Sequence, residues 1–71
     1  MIDTVKMGGR IRQLRKSSLL TCEEFADMIS MSVNYVRKLE KGQVFPSIDI
    51  IDRISQVFRC DILWLLYGLN A

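Results

Sequence analysis

Between Thr21 and Gly42 the chain carries two helix starts and one helix stop. Thr21 followed three residues later by Glu24 is a reciprocal capping pattern. In it the backbone N–H of residue 24 donates to the hydroxyl, and the N–H of residue 21 donates to the carboxylate. Glu23 and Glu24 also suit the positive end of a helix dipole. Phe25, Ala26 and Ile29 then give an inward stripe, and Ser30-Met31 interrupts it. Ser32 is a good cap for a second helix, whose buried stripe is Val36 and Leu39. Gly42 stands where a left-handed residue closes a helix, with Lys41 suited to the helix end.

The flanks read as helices too. Thr4 to Lys16 places Val5, Ile11 and Leu14 on one face, with Gly8 on that side permitting close approach of another helix. Ser17 and Ser18 break the pattern. After a connection at Val44, Phe45 and Pro46, Ser47 can cap a fourth helix, in which Ile51, Ile54, Val57 and Phe58 recur at spacings of three and four. Asp61 caps a last short helix that turns Ile62, Leu65 and Leu66 inward and ends at Gly68. Nothing alternates with period two. The expected fold is all-α, a compact five-helix bundle forming one domain over residues 1–71, with its central helix pair at about 21–42.

At 71 residues the chain has room for one small domain, in which a deep substrate cavity would be hard to fit. A hydrophobic fraction of 49% argues for a packed core and against disorder. The net charge is only +2, but the positive residues fall in two blocks. Lys6, Arg10, Arg12, Arg15 and Lys16 form one; Arg37, Lys38 and Lys41 form the other. That distribution suits a polyanion, and it equally describes two solvated helix faces.

Cys22 and Cys60 do not make a disulfide scaffold. There is no cationic leader followed by an apolar secretion segment. The longest apolar run, Ile62 to Tyr67, is far short of a membrane span. A cytoplasmic protein without a membrane partner is expected. No histidine is present, and two distant cysteines lack further ligands, so neither a metal nor a cofactor is expected. No nucleophile is set beside a base, and Gly8-Gly9 alone is too little for a phosphate-binding loop, so the chain is not expected to be an enzyme.

Two short helices joined by a tight break, the second with polar and basic residues on its free face, have the geometry in which one helix steadies another inside a DNA major groove. Here the sequence resembles the Cro/CI-type (XRE-like) helix-turn-helix repressor family. The likeness runs through "GGRIRQLRKSSLLTCEEFADMISMSVNYVRKLEKGQVFPS" and "CDILWLLYG". Its markers are Ile11, Leu14 and Arg15, then Thr21 with Glu23 and Glu24, then Ala26. Met31 and Ser32, Glu40 and Gly42, and Pro46-Ser47 complete the order. Cys22 and Ser30 depart from it, since the family has Gln and Gly there, and Cys60 falls where the family has an aliphatic core residue, which implies that it is buried. If the turn needs a left-handed residue at Ser30, the serine costs about 1–2 kcal/mol.

The resemblance implies a lambda-repressor-like domain that binds an operator in double-stranded DNA as a transcriptional regulator, in most cases a repressor, from a bacterium or phage. It makes Ser32, Val33, Asn34, Arg37 and Lys38 base contacts, with Tyr35 reaching a base or phosphate or packing sideways. It places phosphate contacts at Arg10, at Thr21 and Cys22 on the second helix start, and at Lys41 and Gln43. Arg15 and Glu40 would form an ion pair holding the reading helix at its angle. Leu63, Trp64 and Tyr67 off the inward face of the last helix would cap the core or form a homodimer surface. Two other roles stay open: an antitoxin-like regulator that also holds a toxin protein, and a helix-turn-helix module used only for protein contact. The chain could also be the N-terminal domain of a longer protein.

Overall fold

Each helix in this protein starts on a side-chain oxygen. In the computed structural model, which describes residues 1–69, Asp3, Thr21, Ser32, Ser47 and Asp61 precede α1 (Thr4–Ser17), α2 (Cys22–Met28), α3 (Val33–Glu40), α4 (Ile48–Phe58) and α5 (Ile62–Tyr67). Each accepts from a backbone N–H of the first turn, which has no partner within the helix. At α2 the pattern is reciprocal: the Glu24 N–H donates to Thr21 Oγ1 at 3.1 Å and the Thr21 N–H to Glu24 Oε1 at 2.9 Å. Those bonds from Thr21 hold the Glu24 carboxyl below the usual carboxylate range. The stabilisation they give is therefore present above that range and lost as the pH falls through the lowered value.

The stops are set by left-handed residues. Gly42 and Gly68 close α3 and α5 at φ of 76° and 74°. Leu19, Ser30 and Arg59 take the same region without being glycine.

The core draws on all five helices. Met7 and Ile11 come from α1, Phe25 and Ala26 from α2 with Ile29 just beyond it, and Val36 and Leu39 from α3. Ile50, Ile51 and Ile54 come from α4, and Leu65 from α5. Phe58 lies half-buried with its ring 5.2 Å from that of Phe25. α3 packs on both α1 and α2, while α5 packs on α1 and α4.

Several expected inward residues sit differently. Val5 is 64% exposed, and Met7 fills the inner position instead. Val5 is six residues from Ile11, which turns it away from the face that Met7 and Gly8 share with Ile11. Its backbone is what packs, since a Cβ on Gly42 would come within 2.6 Å of Val5 Cα. Val57, Cys60, Ile62 and Leu66 are half-buried at the core edge, because so small a bundle has few positions enclosed on every side. Burial pushes the Cys60 thiol above its ordinary pKa, leaving it a poor nucleophile.

Gly8 marks the tightest helix contact. A Cβ there would collide with the backbone carbonyl oxygens of Leu39 and Glu40, whereas one on neighbouring Gly9 would meet nothing within 4 Å. Gly8→Ala is therefore expected to destabilise by about 1–3 kcal/mol. Gly9→Ala should stabilise by about 0.5–1 kcal/mol, because alanine is the better helix former. Urea unfolding midpoints of the two variants should move in opposite directions.

Candidate nucleic-acid interface

The turn between α2 and α3 fixes where α3 points. Ser30 sits there at φ 58°. The turn's backbone donors are satisfied: the Ser30 N–H donates to Asp27 O at 3.2 Å and the Met31 N–H to Ala26 O at 2.9 Å. From α4, Arg53 Nη1 donates to the carbonyl of Ile29 at 3.1 Å and so holds the start of the turn from outside. Ser32 then caps α3, its hydroxyl accepting from the Tyr35 N–H at 3.1 Å.

Three attachments join α1 to α3. Thr4 Oγ1 donates to Gly42 O at 3.0 Å, just past the end of α3. Gly8 admits the carbonyls of Leu39 and Glu40. Arg15 forms a two-pronged bond to Glu40, Nε to Oε2 at 2.6 Å and Nη2 to Oε1 at 3.1 Å. Arg15 Nη1 also donates to Leu20 O at 2.9 Å. The Arg15 and Glu40 side chains are only 12% and 7% exposed, so each charge depends on the other for its partner. The bond to Glu40 raises the Arg15 pKa against the opposing effect of burial.

With α3 held by Val36 and Leu39 inside, its outer face follows from about 100° of rotation per residue. Asn34 lies nearly opposite the core stripe. Arg37 flanks it on the Glu40 side and Lys38 on the Tyr35 side. Ser32, Asn34, Arg37, Lys38, Lys41 and Gln43 are exposed, whereas Val33 and Tyr35 are half-buried against the core. Burial raises the Tyr35 hydroxyl pKa. Thr21 is occupied by its capping bonds, and Cys22 is half-buried at the start of α2.

Arg10 stands apart from the other candidate cations. Its Nε donates to Leu65 O at 2.9 Å, and it lines a cleft with Asp3, Lys6, Leu66 and Tyr67 at the α1–α5 side. Leu63 and Tyr67 on α5 are 48% and 46% exposed, and Trp64 is half-buried. The sequence reading missed Arg12 and Arg53. Arg12 lines a notch with Arg15, Arg37, Glu40 and Lys41, and its place three residues before Arg15 on one helix was a usable signal. Arg53 gives none, since its bond reaches across 24 residues to a backbone carbonyl.

A helix-turn-helix family model matches residues 11–65, most of the chain, with α2, α3 and α4 complete. The chain belongs to the Cro/CI-type (XRE-like) helix-turn-helix family. Within reach of that family, it is 32% identical over 62 residues to the ImmF control region 10 kDa protein of Bacillus phage phi105, covering 87% of this chain and 69% of that one. The restriction-modification controller protein C.AhdI of Aeromonas hydrophila superposes with a TM-score of 0.82 at 30% identity, covering 90% of this chain and 97% of that one. The P22 c2 repressor, solved in complex with a synthetic operator, gives 0.84 at 25% identity, covering 89% and 96%. Two further curated relatives are longer, and the chain spans 51% and 16% of their lengths. Among the described residues no helix is long and apolar enough to cross a membrane, and no group of three or more His, Cys, Asp or Glu could hold a metal ion.

Two substitutions test how α3 is fixed. Glu40→Gln strips Arg15 of its counter-charge in a mostly buried setting and should cost about 3 kcal/mol in urea unfolding. Replacing both partners together, Arg15→Met with Glu40→Met, should recover most of that loss. Ser30→Gly removes a left-handed strain and should raise stability by up to about 1 kcal/mol.

Proposed function

We propose that this chain is a sequence-specific DNA-binding transcriptional regulator that enters the operator major groove with α3 and represses by occupying DNA that polymerase needs. One observation carries the reading most: the polar side of α3 opposite Val36 and Leu39 is exposed while its inner side is anchored to α1 and α2. A groove about 12 Å wide admits such a helix with its side chains.

Asn34, at the centre of that face, has the donor and acceptor pair that suits adenine N6 and N7. Ser32 and Val33 lie toward the helix N-terminus, from which groove-reading helices contact bases, and Val33 offers a methyl surface to thymine. Lys38 lies one turn after Asn34. Backbone N–H groups around Thr21 and Cys22, with Lys41 and Gln43, are set to meet phosphates on either side. Arg10 serves by holding α5 rather than by touching DNA.

Two copies related by a twofold axis would read half-sites about 34 Å apart. The exposed Leu63 and Tyr67, with Trp64 beside them, are the residues we assign to that homodimer contact. Such a protein works in the cytoplasm, at the nucleoid.

Selection of bound duplexes from a random pool tests the reading. The expected result is a palindromic site whose binding weakens steeply with salt. Asn34→Ala should then cost about 1–3 kcal/mol on the selected site, relax preference at one base pair and leave scrambled DNA unaffected. Failure to enrich any sequence would refute the proposal.

A further inference from the structure

The notch between α1 and α3 presents four cations, Arg12, Arg15, Arg37 and Lys41, to one carboxylate, Glu40. That carboxylate is already held by Arg15 through both of its oxygens. Among the described residues, no ion pair or side-chain hydrogen bond engages Arg12, Arg37 or Lys41. Three like charges converging on one edge repel one another, and an anion bound between them would relieve that repulsion.

We propose that Arg12, Arg37 and Lys41 form a clamp for a backbone phosphate of DNA, so that Arg37 grips the duplex and does not read a base. The inference rests on the reading of α3 as the helix that enters the groove. Arg37 and Lys41 are four residues apart and share one edge of α3, the edge that turns toward Glu40 and α1. Asn34 faces straight outward, and Arg37, three residues on, is turned about 60° from it toward Glu40. Arg37 also sits in the C-terminal half of α3, whereas base reading falls to the N-terminal residues of such helices. Arg12 reaches the same notch from α1, an element that does not enter the groove, so the notch opens beside the groove wall, where phosphates run. Planar guanidinium groups fit phosphate oxygens in a two-pronged manner, which favours this occupant. Arg15, in the same notch, is already committed to Glu40 and Leu20.

The test measures binding of the full chain to a duplex carrying its selected operator and to a scrambled duplex of equal length, across a salt series. Arg37→Gln should weaken both duplexes by the same factor, about tenfold, and lower the salt slope by about one. Arg12→Gln should act in the same direction, and Arg37→Lys should restore the slope. Both positions are exposed, and unchanged thermal unfolding would confirm that each variant folds. In addition, a single uncharged methylphosphonate linkage should be found whose effect on wild-type binding disappears in Arg37→Gln. A site for free phosphate would show no such dependence on linkage position. The clamp is overturned if Arg37→Gln loses affinity only for the selected operator, with altered preference at one base pair and an intact salt slope. It is equally overturned if Arg12→Gln changes nothing. Wild-type protein that binds neither duplex would sink the DNA reading itself, a different result from either of these.

Discussion

The contact between α1 and α3 is the constraint on which the rest of the molecule depends. α3 is only eight residues long, too short to hold a helical shape in water without support. Its inner stripe, Val36 and Leu39, supplies part of that support, but two apolar side chains leave rotation about the helix axis poorly defined. The attachments to α1 remove that freedom. Thr4 holds the backbone past its end, Gly8 sets the separation, and Arg15 grips Glu40 from the side. The ion pair contributes less through net energy than through direction, because desolvation offsets much of the attraction of a mostly buried pair. A planar fork on a carboxylate has one good geometry, and that geometry sets which side of α3 faces out.

What the sequence disclosed follows from how local each signal is. Caps are chemistry within three residues, so Thr21 with Glu24, Ser32, Ser47 and Asp61 all begin helices where their neighbours say they should. The stripe of α4 is long enough for its spacing to speak, and Ile51 and Ile54 are inside. In α1 the stripe was misread at Val5, because the first turn of a helix has too few residues to fix its phase and Met7 was an equal candidate. The Arg15–Glu40 pair was legible only through likeness to other chains, since nothing local links residues 25 apart. Arg53 lay beyond reach for the same reason, since its surroundings are made by the packing of α4 on the turn, whereas Arg12 could have been paired with Arg15 by its spacing of three on one helix.

The turn shows how a departure from the usual residue is absorbed. Ser30 occupies a left-handed position that glycine would fill without strain. Two things keep the turn in place. Buried Ile29 and half-buried Met31 flank the serine and pin the chain on both sides, and Arg53 holds the Ile29 carbonyl from α4. A turn held this way by its neighbours keeps its shape although one residue in it is locally disfavoured. The helix-turn-helix unit is thus not self-contained, since part of its geometry is supplied by the helix that follows it.

Charge placement explains how a chain with a net charge of only +2 can address a strongly negative partner. Glu23, Glu24 and Asp27 lie on or at the start of α2, and Asp49 and Asp52 on α4. Arg12, Arg37, Lys38 and Lys41 gather instead on α1 and on and just beyond α3, where the one acid nearby, Glu40, is already bonded. At physiological salt a charge is felt over roughly 8 Å, so a duplex placed against α3 as proposed would meet those cations and be screened from most of the distant acids. The total charge is therefore a poor guide to the partner. The uneven division, with Glu40 already taken by Arg15, is what supports the proposal that this surface meets a polyanion.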